Sequence, residues 1–179
     1  MTQVASVYAQ ALYDLARDER ISAEILEQLN VLRGIFAQNP DYVKLLDTPN
    51  LPKEERCRLL DEGFFGRVQI YVLNFLKILT EKGYIRYFDE CCDAYREMYN
   101  EEHGILTVQV VTAVPLTEVQ RAKLCAKLTK ITGKKIELSA SVDASCIGGV
   151  RLDYDGKRVE DTVRRRLDAV HSLLRNTML

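Results

Sequence analysis

The chain has 179 residues, 47% hydrophobic and 28% charged, and a formal net charge of −1 at pH 7. That length suits one ordinary domain or two small ones, and that hydrophobic content excludes disorder throughout. The small net charge hides an asymmetry. Residues 1–104 hold 12 Lys/Arg against 18 Asp/Glu, a net of −6, and residues 105–179 hold 13 against 8, a net of +5.

In chain order, the first 104 residues read as helix after helix. Val4, Tyr8, Ala11, Leu12 and Leu15 share one face at helical spacing. Ser22 is placed to cap a second helix carrying Ile25, Leu29, Leu32 and Phe36. Asn39 and Pro40 end that helix and open a short third one with Val43 and Leu46, which Pro49 terminates. Pro52 opens a fourth through Leu59 and Leu60, closing near Gly63. The stretch "VQIYVLNFLKILTEKG", residues 68–83, is apolar nearly all round, the pattern of a central helix enclosed by others. A last helix carries Ile85, Phe88, Cys92, Tyr95 and Tyr99 and ends at Gly104. The expectation is a six-helix bundle over residues 1–104.

At Ile105 the period changes. Val108, Val110, Thr112 and Val114 alternate as in a strand. Thr117 and Gln120 then fit a capping box before a helix with Leu124, Leu128 and Ile131 that Gly133 ends. Ile136, Leu138, Ala140 and Val142 alternate in a second strand, and a third is expected over residues 146–154. Asp155-Gly156 is a tight-hairpin dipeptide, with a short return strand at Arg158 and Val159. Asp161 is placed to cap a last helix with Val163, Leu167, Val170 and Leu174. Residues 105–179 thus read as a small α+β domain, and the fold class overall is α+β. Two domains of opposite charge point to two different partners.

Few residues offer chemistry. The longest apolar stretch, residues 68–79, is broken by Gln69, Asn74 and Lys77 and is shorter than the ~20 residues of a membrane span. No secretory signal is expected at the N-terminus. The five cysteines, Cys57, Cys91, Cys92, Cys125 and Cys146, form no C-x-x-C pair, and His103 and His171 stand apart from them, so no metal site is expected. The adjacent Cys91 and Cys92 leave redox activity open, against an idle core role. The glycines at 148, 149 and 156 lack phosphate-loop spacing, and Gly156-Lys157 is followed by Arg158 rather than a hydroxyl residue. Gly148-Gly149 therefore reads as a place where another backbone comes close. Arg164, Arg165 and Arg166 fan around a helix by ~100° each rather than making one focused patch. No nucleophile–base set is visible, so neither catalytic residues nor a cofactor is expected, and a two-domain binding protein is favoured over an enzyme.

Several pieces together resemble the delta subunit of bacterial F-type ATP synthases, the counterpart of the mitochondrial oligomycin-sensitivity-conferring protein. They are "YAQALYDLA" (8–16), "LLDTP" (45–49), "NFLKILTEKGYI" (74–85), "VVTAVPLTEVQRAKL" (110–124), "TGKKIEL" (132–138), "VDASCIGGVRL" (142–152) and "EDTVRRRLDAV" (160–170). Their order and spacing carry the match. Cys146 stands where the family has a larger aliphatic residue, and Thr162 where it often has Ser.

The resemblance implies a non-catalytic stator subunit of a proton- or sodium-translocating synthase, peripheral on the cytoplasmic face of the membrane. It implies that residues 1–104 bind the catalytic head and residues 105–179 the b subunit of the peripheral stalk, with no nucleic acid and no membrane insertion. An amphipathic helix of an alpha subunit would lie between the first and fifth helices, on Tyr8, Ala11, Leu12, Leu15, Asn74, Phe75, Ile78 and Leu79. Arg164, Arg165 and Arg166 are candidate stalk contacts. The alternative from the residues alone is an RNA-associated protein with a basic α+β module.

Overall fold

A computed structural model describes residues 3–48, 51–154, 156–165 and 167. The chain divides into two compact units, residues 1–99 and 100–179. The first carries α1 (Gln3–Asp18), α2 (Ser22–Gln38), α3 (Pro40–Asp47), α4 (Lys53–Phe64), α5 (Ile70–Lys82), a 3-10 turn at Ile85–Tyr87 and most of α6 (Phe88–Glu102). The second carries β1 (Ile105–Thr112), α7 (Glu118–Thr132), β2 (Lys135–Val142), a 3-10 turn at Ala144–Cys146, β3 (Gly149–Tyr154) and β4 (Lys157–Thr162). Residues 163–165 and 167 are helical again, which brings the α-helices among the described residues to eight, six of them within residues 1–104 and two after it. The class is α+β.

The first unit closes around Leu12, Ile25, Leu29, Leu60, Leu73, Leu76, Leu79 and Tyr95, all buried. Ala5, Ala9 and Ala16 are fully buried on α1, where a missing side chain lets neighbouring helices approach. Tyr13 meets Tyr95 edge-on at 5.2 Å between centroids, and Phe36 meets Phe88 at 5.0 Å, geometries the aromatic quadrupole favours. The Tyr95 hydroxyl donates to Ser22 O at 3.0 Å, so its burial leaves no unmet donor. Arg33 of α2 forks onto Asp93 of α6 at 2.6 and 3.2 Å, and this bond holds the guanidinium pKa above its ordinary value.

Three expected caps move. Ser22 is already helical; Ile21 precedes α2 and makes no side-chain cap. Asn39 does precede α3, but its amide donates back to Ile35 O at 2.9 Å, serving the end of α2 instead. Asp161 lies inside β4, which runs to Thr162, and the Thr162 hydroxyl accepts from Arg165 N at 3.3 Å. The shifts at Ser22 and Asp161 follow from the helix or strand extending one residue beyond its sequence signal. Val170, Leu174, His171, Asp155 and Pro49 lie outside the described residues.

In the second unit the sheet order is β2-β1-β3-β4, with β1 parallel to β2 and antiparallel to β3. The expected capping box opens α7: Thr117 Oγ1 accepts from Gln120 N, and Thr117 N donates to Gln120 Oε1 at 2.9 Å. Gly133 closes that helix at φ 69°. Leu124 and Leu128 of α7 pack on Leu106, Val108, Val110 and Leu138, a small core on one face of the sheet. Gly149 answers the question of the double glycine. It sits at φ +84°, and a Cβ there would stand 2.1 Å from Asp161 O. The β4 backbone occupies the space a side chain needs. Ile147, two residues earlier, also has positive φ (64°, ψ −41°), a conformation that costs a β-branched residue on the order of 1–3 kcal/mol.

Candidate functional site

The eight residues expected to line a helix-binding surface divide into two sets. Leu12, Phe75 and Leu79 are buried and belong to the one core of the first unit, against which the half-buried Tyr8 packs. Its ring stands 5.9 Å from that of Tyr84. Ala11, Leu15, Asn74 and Ile78 are exposed. Helices α1 and α5 are neighbours, and each carries exposed positions besides its buried apolar ones.

The surface is longer than its sequence signature. Val7 precedes Ala11 by four residues and is 62% exposed; Ile70 precedes Asn74 by four and is 49% exposed. Residues 7, 11 and 15 form one rib and 70, 74 and 78 another, each at the spacing that puts side chains on one helix face. Leu15 is 39% and Ile78 44% exposed. This corrects the reading of residues 68–83 as an enclosed central helix. α5 begins at Ile70, and Ile70, Asn74 and Ile78 along it are exposed. Val7 and Ile70 were missed because the sequence alone does not show which apolar side chains the neighbouring helices leave uncovered. The i, i+4, i+8 spacing to Leu15 and to Ile78 was the available signal.

Charge stays at the margin. Arg17 pairs with Asp14 at 3.4 Å on α1, and Lys77 reaches Asp61 of α4 at 2.7 Å. Such a surface has no nucleophile or proton carrier at its centre; what it can do is bury apolar side chains. A separate cavity of about 470 Å³ lies beside α2 and the end of α4, lined by Val31, Ile35, Phe64 and Arg67 among others. It shares no residue with the eight.

The arginines at the end of the chain are not brought into that site. Arg164 and Arg165 are exposed in the second unit, where Arg165 Nη1 donates to Glu160 O at 3.0 Å; Arg166 lies outside the described residues. The adjacent thiols are not poised for chemistry. Burial pushes Cys91 up to about 11 and Cys92 up to about 12, which keeps both as thiols at neutral pH. Among the described residues no group of three His, Cys, Asp or Glu is placed to hold a metal, and no helix is long and apolar enough to cross a membrane.

Residues 4–174 match the family described as ATP synthase delta (OSCP) subunit. The chain belongs to that family. It is 30% identical over 171 residues to ATP synthase subunit delta of Alkaliphilus oremlandii, a match covering 96% of this chain and 95% of the relative. It is 29% identical over 168 residues to the sodium ion specific subunit delta of Ilyobacter tartaricus, covering 94% and 96%. A chain in the Toxoplasma gondii mitochondrial ATP synthase hexamer shares the fold at a TM-score of 0.76 and 18% identity, over 97% of this chain and 98% of that one. As a delta-family member the chain is a structural subunit of an F-type ATP synthase, a membrane-associated assembly of ATP synthesis and ion transport.

Proposed function

We propose that this delta-family subunit is a stator link. Its first unit holds the catalytic head by receiving an alpha-subunit helix on the α1–α5 face, and its second unit holds the b subunit of the peripheral stalk. The observation that carries the reading is the pair of exposed ribs, Val7–Ala11–Leu15 and Ile70–Asn74–Ile78, over the buried Leu12, Phe75 and Leu79. Such a face suits a guest helix whose apolar side chains recur every turn. Ala11, the smallest side chain in its rib, lets the guest backbone come close.

The task is mechanical. Rotation inside the head exerts torque on it, and a link that dissociates slowly at both ends keeps the head from turning along. Burying apolar area contributes about 25 cal/mol per Å², offset in part by the lost freedom of the two partners. The subunit acts without catalysis, peripherally, on the cytoplasmic face of the membrane. The alternative, an RNA-associated protein, draws only on the net charge of residues 105–179, and no structural observation favours it.

The test is calorimetric titration of the full chain with a peptide of the alpha subunit's N-terminus at moderate and high salt. Tight binding with a negative heat-capacity change and little salt dependence supports the apolar face. An absence of binding at both salts overturns it.

A further inference from the structure

One end of the sheet carries exposed apolar side chains that the α1–α5 face does not account for. Thr112, the last residue of β1, pairs with Val142 on one side and Val150 on the other, and Gly149 pairs with Thr162. This topology gathers Val114, Val142, Ile147, Val163 and Leu167 at that end, and all five are exposed. Val163 N donates to Gly148 O at 3.0 Å, and a Cβ added to Gly148 would stand 3.3 Å from Val163 Cγ2. The turn and the start of the last helix are therefore in contact.

Ile147 is the informative member. Gly148 N donates to Cys146 O at 2.7 Å, closing a γ-turn of the positive-φ kind around Ile147, the rarer and strained form. A turn that had only to reverse the chain is better served by Gly or Asn. Here a β-branched side chain occupies the strained position and is 64% exposed. Strain held at a solvent-facing apolar residue is the kind that clusters at contact surfaces.

Charge narrows the partner. The exposed Arg164 and Arg165 directly follow Val163, and residues 105–179 carry a net +5. At the same end the Asp143 carboxylate is engaged with Ser145 N at 2.9 Å. Aliphatic side chains beside arginines on a cationic unit complement an anionic segment with Leu, Ile or Val one helical turn apart.

We propose that this sheet end, anchored by Ile147, is where an acidic amphipathic helix of the stalk docks. The inference rests on the reading that the second unit meets the stalk, and it names the surface and the chemistry of the guest. The guest lays its apolar stripe over Ile147, Val142 and Val163, with its acidic flank toward Arg164 and Arg165.

The experiment uses the full chain and, as probe, the soluble portion of the b subunit of the same synthase. Ile147→Gly removes the anchor while suiting the backbone, and Ile147→Leu keeps an apolar side chain. The expected result is about 30-fold weaker binding for Ile147→Gly, as for loss of a central anchor. Its melting temperature does not fall and its affinity for the alpha-subunit peptide is unchanged. Ile147→Leu keeps most of the affinity, and Arg164→Glu with Arg165→Glu weakens binding further. Wild-type affinity in Ile147→Gly overturns the inference and leaves the stalk reading standing. Failure of the wild-type chain to bind the probe, with the alpha peptide still bound, sinks both. Ile147-dependent self-association in sedimentation, without probe binding, assigns the surface to a second copy and also overturns it.

Discussion

Arg56 is tied to Thr80 across the first unit: its guanidinium Nη1 donates to Thr80 O at 3.2 Å and to Leu46 O at 2.9 Å. Both acceptors lie in the last turns of helices, α3 and α5, where the dipole favours a cation, and Thr80 O also accepts from Gly83 N at 3.2 Å. The residue is buried, and neither of these bonds is to a carboxylate. Removing it by Arg56→Ala leaves a cavity and an unmet carbonyl, an expected loss of about 2–4 kcal/mol in urea unfolding of the first-unit transition. A loss within the scatter of surface substitutions, such as Lys44→Ala, shows that the bridge does not matter.

Ala11→Trp tests the proposed head contact. Ala11 points to solvent, so the indole does not disturb the core, and helix content and melting temperature should match the wild type. Binding of the alpha-subunit peptide should fall by more than about 100-fold, as expected when an anchor site is filled. Unchanged affinity in titration would falsify the α1–α5 assignment.

Gly149→Ala addresses the second unit. The added Cβ meets the Asp161 carbonyl at 2.1 Å in a positive-φ backbone, whereas at Gly156, also at positive φ, nothing lies within 4 Å. Gly149→Ala is therefore expected to be the more damaging by roughly 2 kcal/mol or more, through overpacking against a backbone that cannot yield. Equal melting temperatures for the two variants rule out the close approach.

The buried thiols give a pH dependence with a definite sign. Cys91 is raised from 9.0 to about 11 and Cys92 to about 12, both mainly by burial. Their folded values lie above the unfolded ones, so their contribution is fully present below about pH 9 and is lost as pH rises toward 11 and 12. The buried Tyr95, also raised by desolvation, acts in the same direction above its ordinary 10.0. Denaturant melts from pH 8 to 11 should show falling stability that a Cys91→Ala, Cys92→Ala variant shows less. At pH 8 a thiol reagent should modify the half-buried Cys57 and Cys125 in the folded chain and reach Cys91 and Cys92 only after unfolding.

The elements with a strong local signal were legible in the sequence. Thr117 and Gln120 cap each other, Gly83 and Gly133 end helices at positive φ, and β1 takes the alternation of Val108 and Val110 into its core. What eluded the sequence depends on distant partners. The N-terminus of α5 is met by Gln28 of α2, whose Oε1 accepts from Gln69 N at 2.7 Å, and no pattern near residue 69 announces it. The apolar abundance of residues 68–83 could not say which side chains the neighbouring helices leave uncovered. The outward rib of α5 emerged only once Leu76 and Leu79 were seen turned inward and Ile78 outward. Likewise Gly148-Gly149 signalled close packing, but not that the isoleucine before it would be held out to solvent.

The place of β1 in the sheet bears on the order of synthesis. It is an inner strand, hydrogen-bonded on one side to β2 and on the other to β3, yet it leaves the ribosome before either. Translation at ~5–20 residues per second leaves its backbone edges unpaired for on the order of seconds, the second edge longer than the first. During that interval Val108, Val110 and Val111 form a short β-prone run with open edges, the stretch of this chain most exposed to mispairing with a neighbouring nascent chain. The helices upstream also wait for partners, Tyr13 of α1 for Tyr95 of α6, but a helix satisfies its own backbone hydrogen bonds meanwhile.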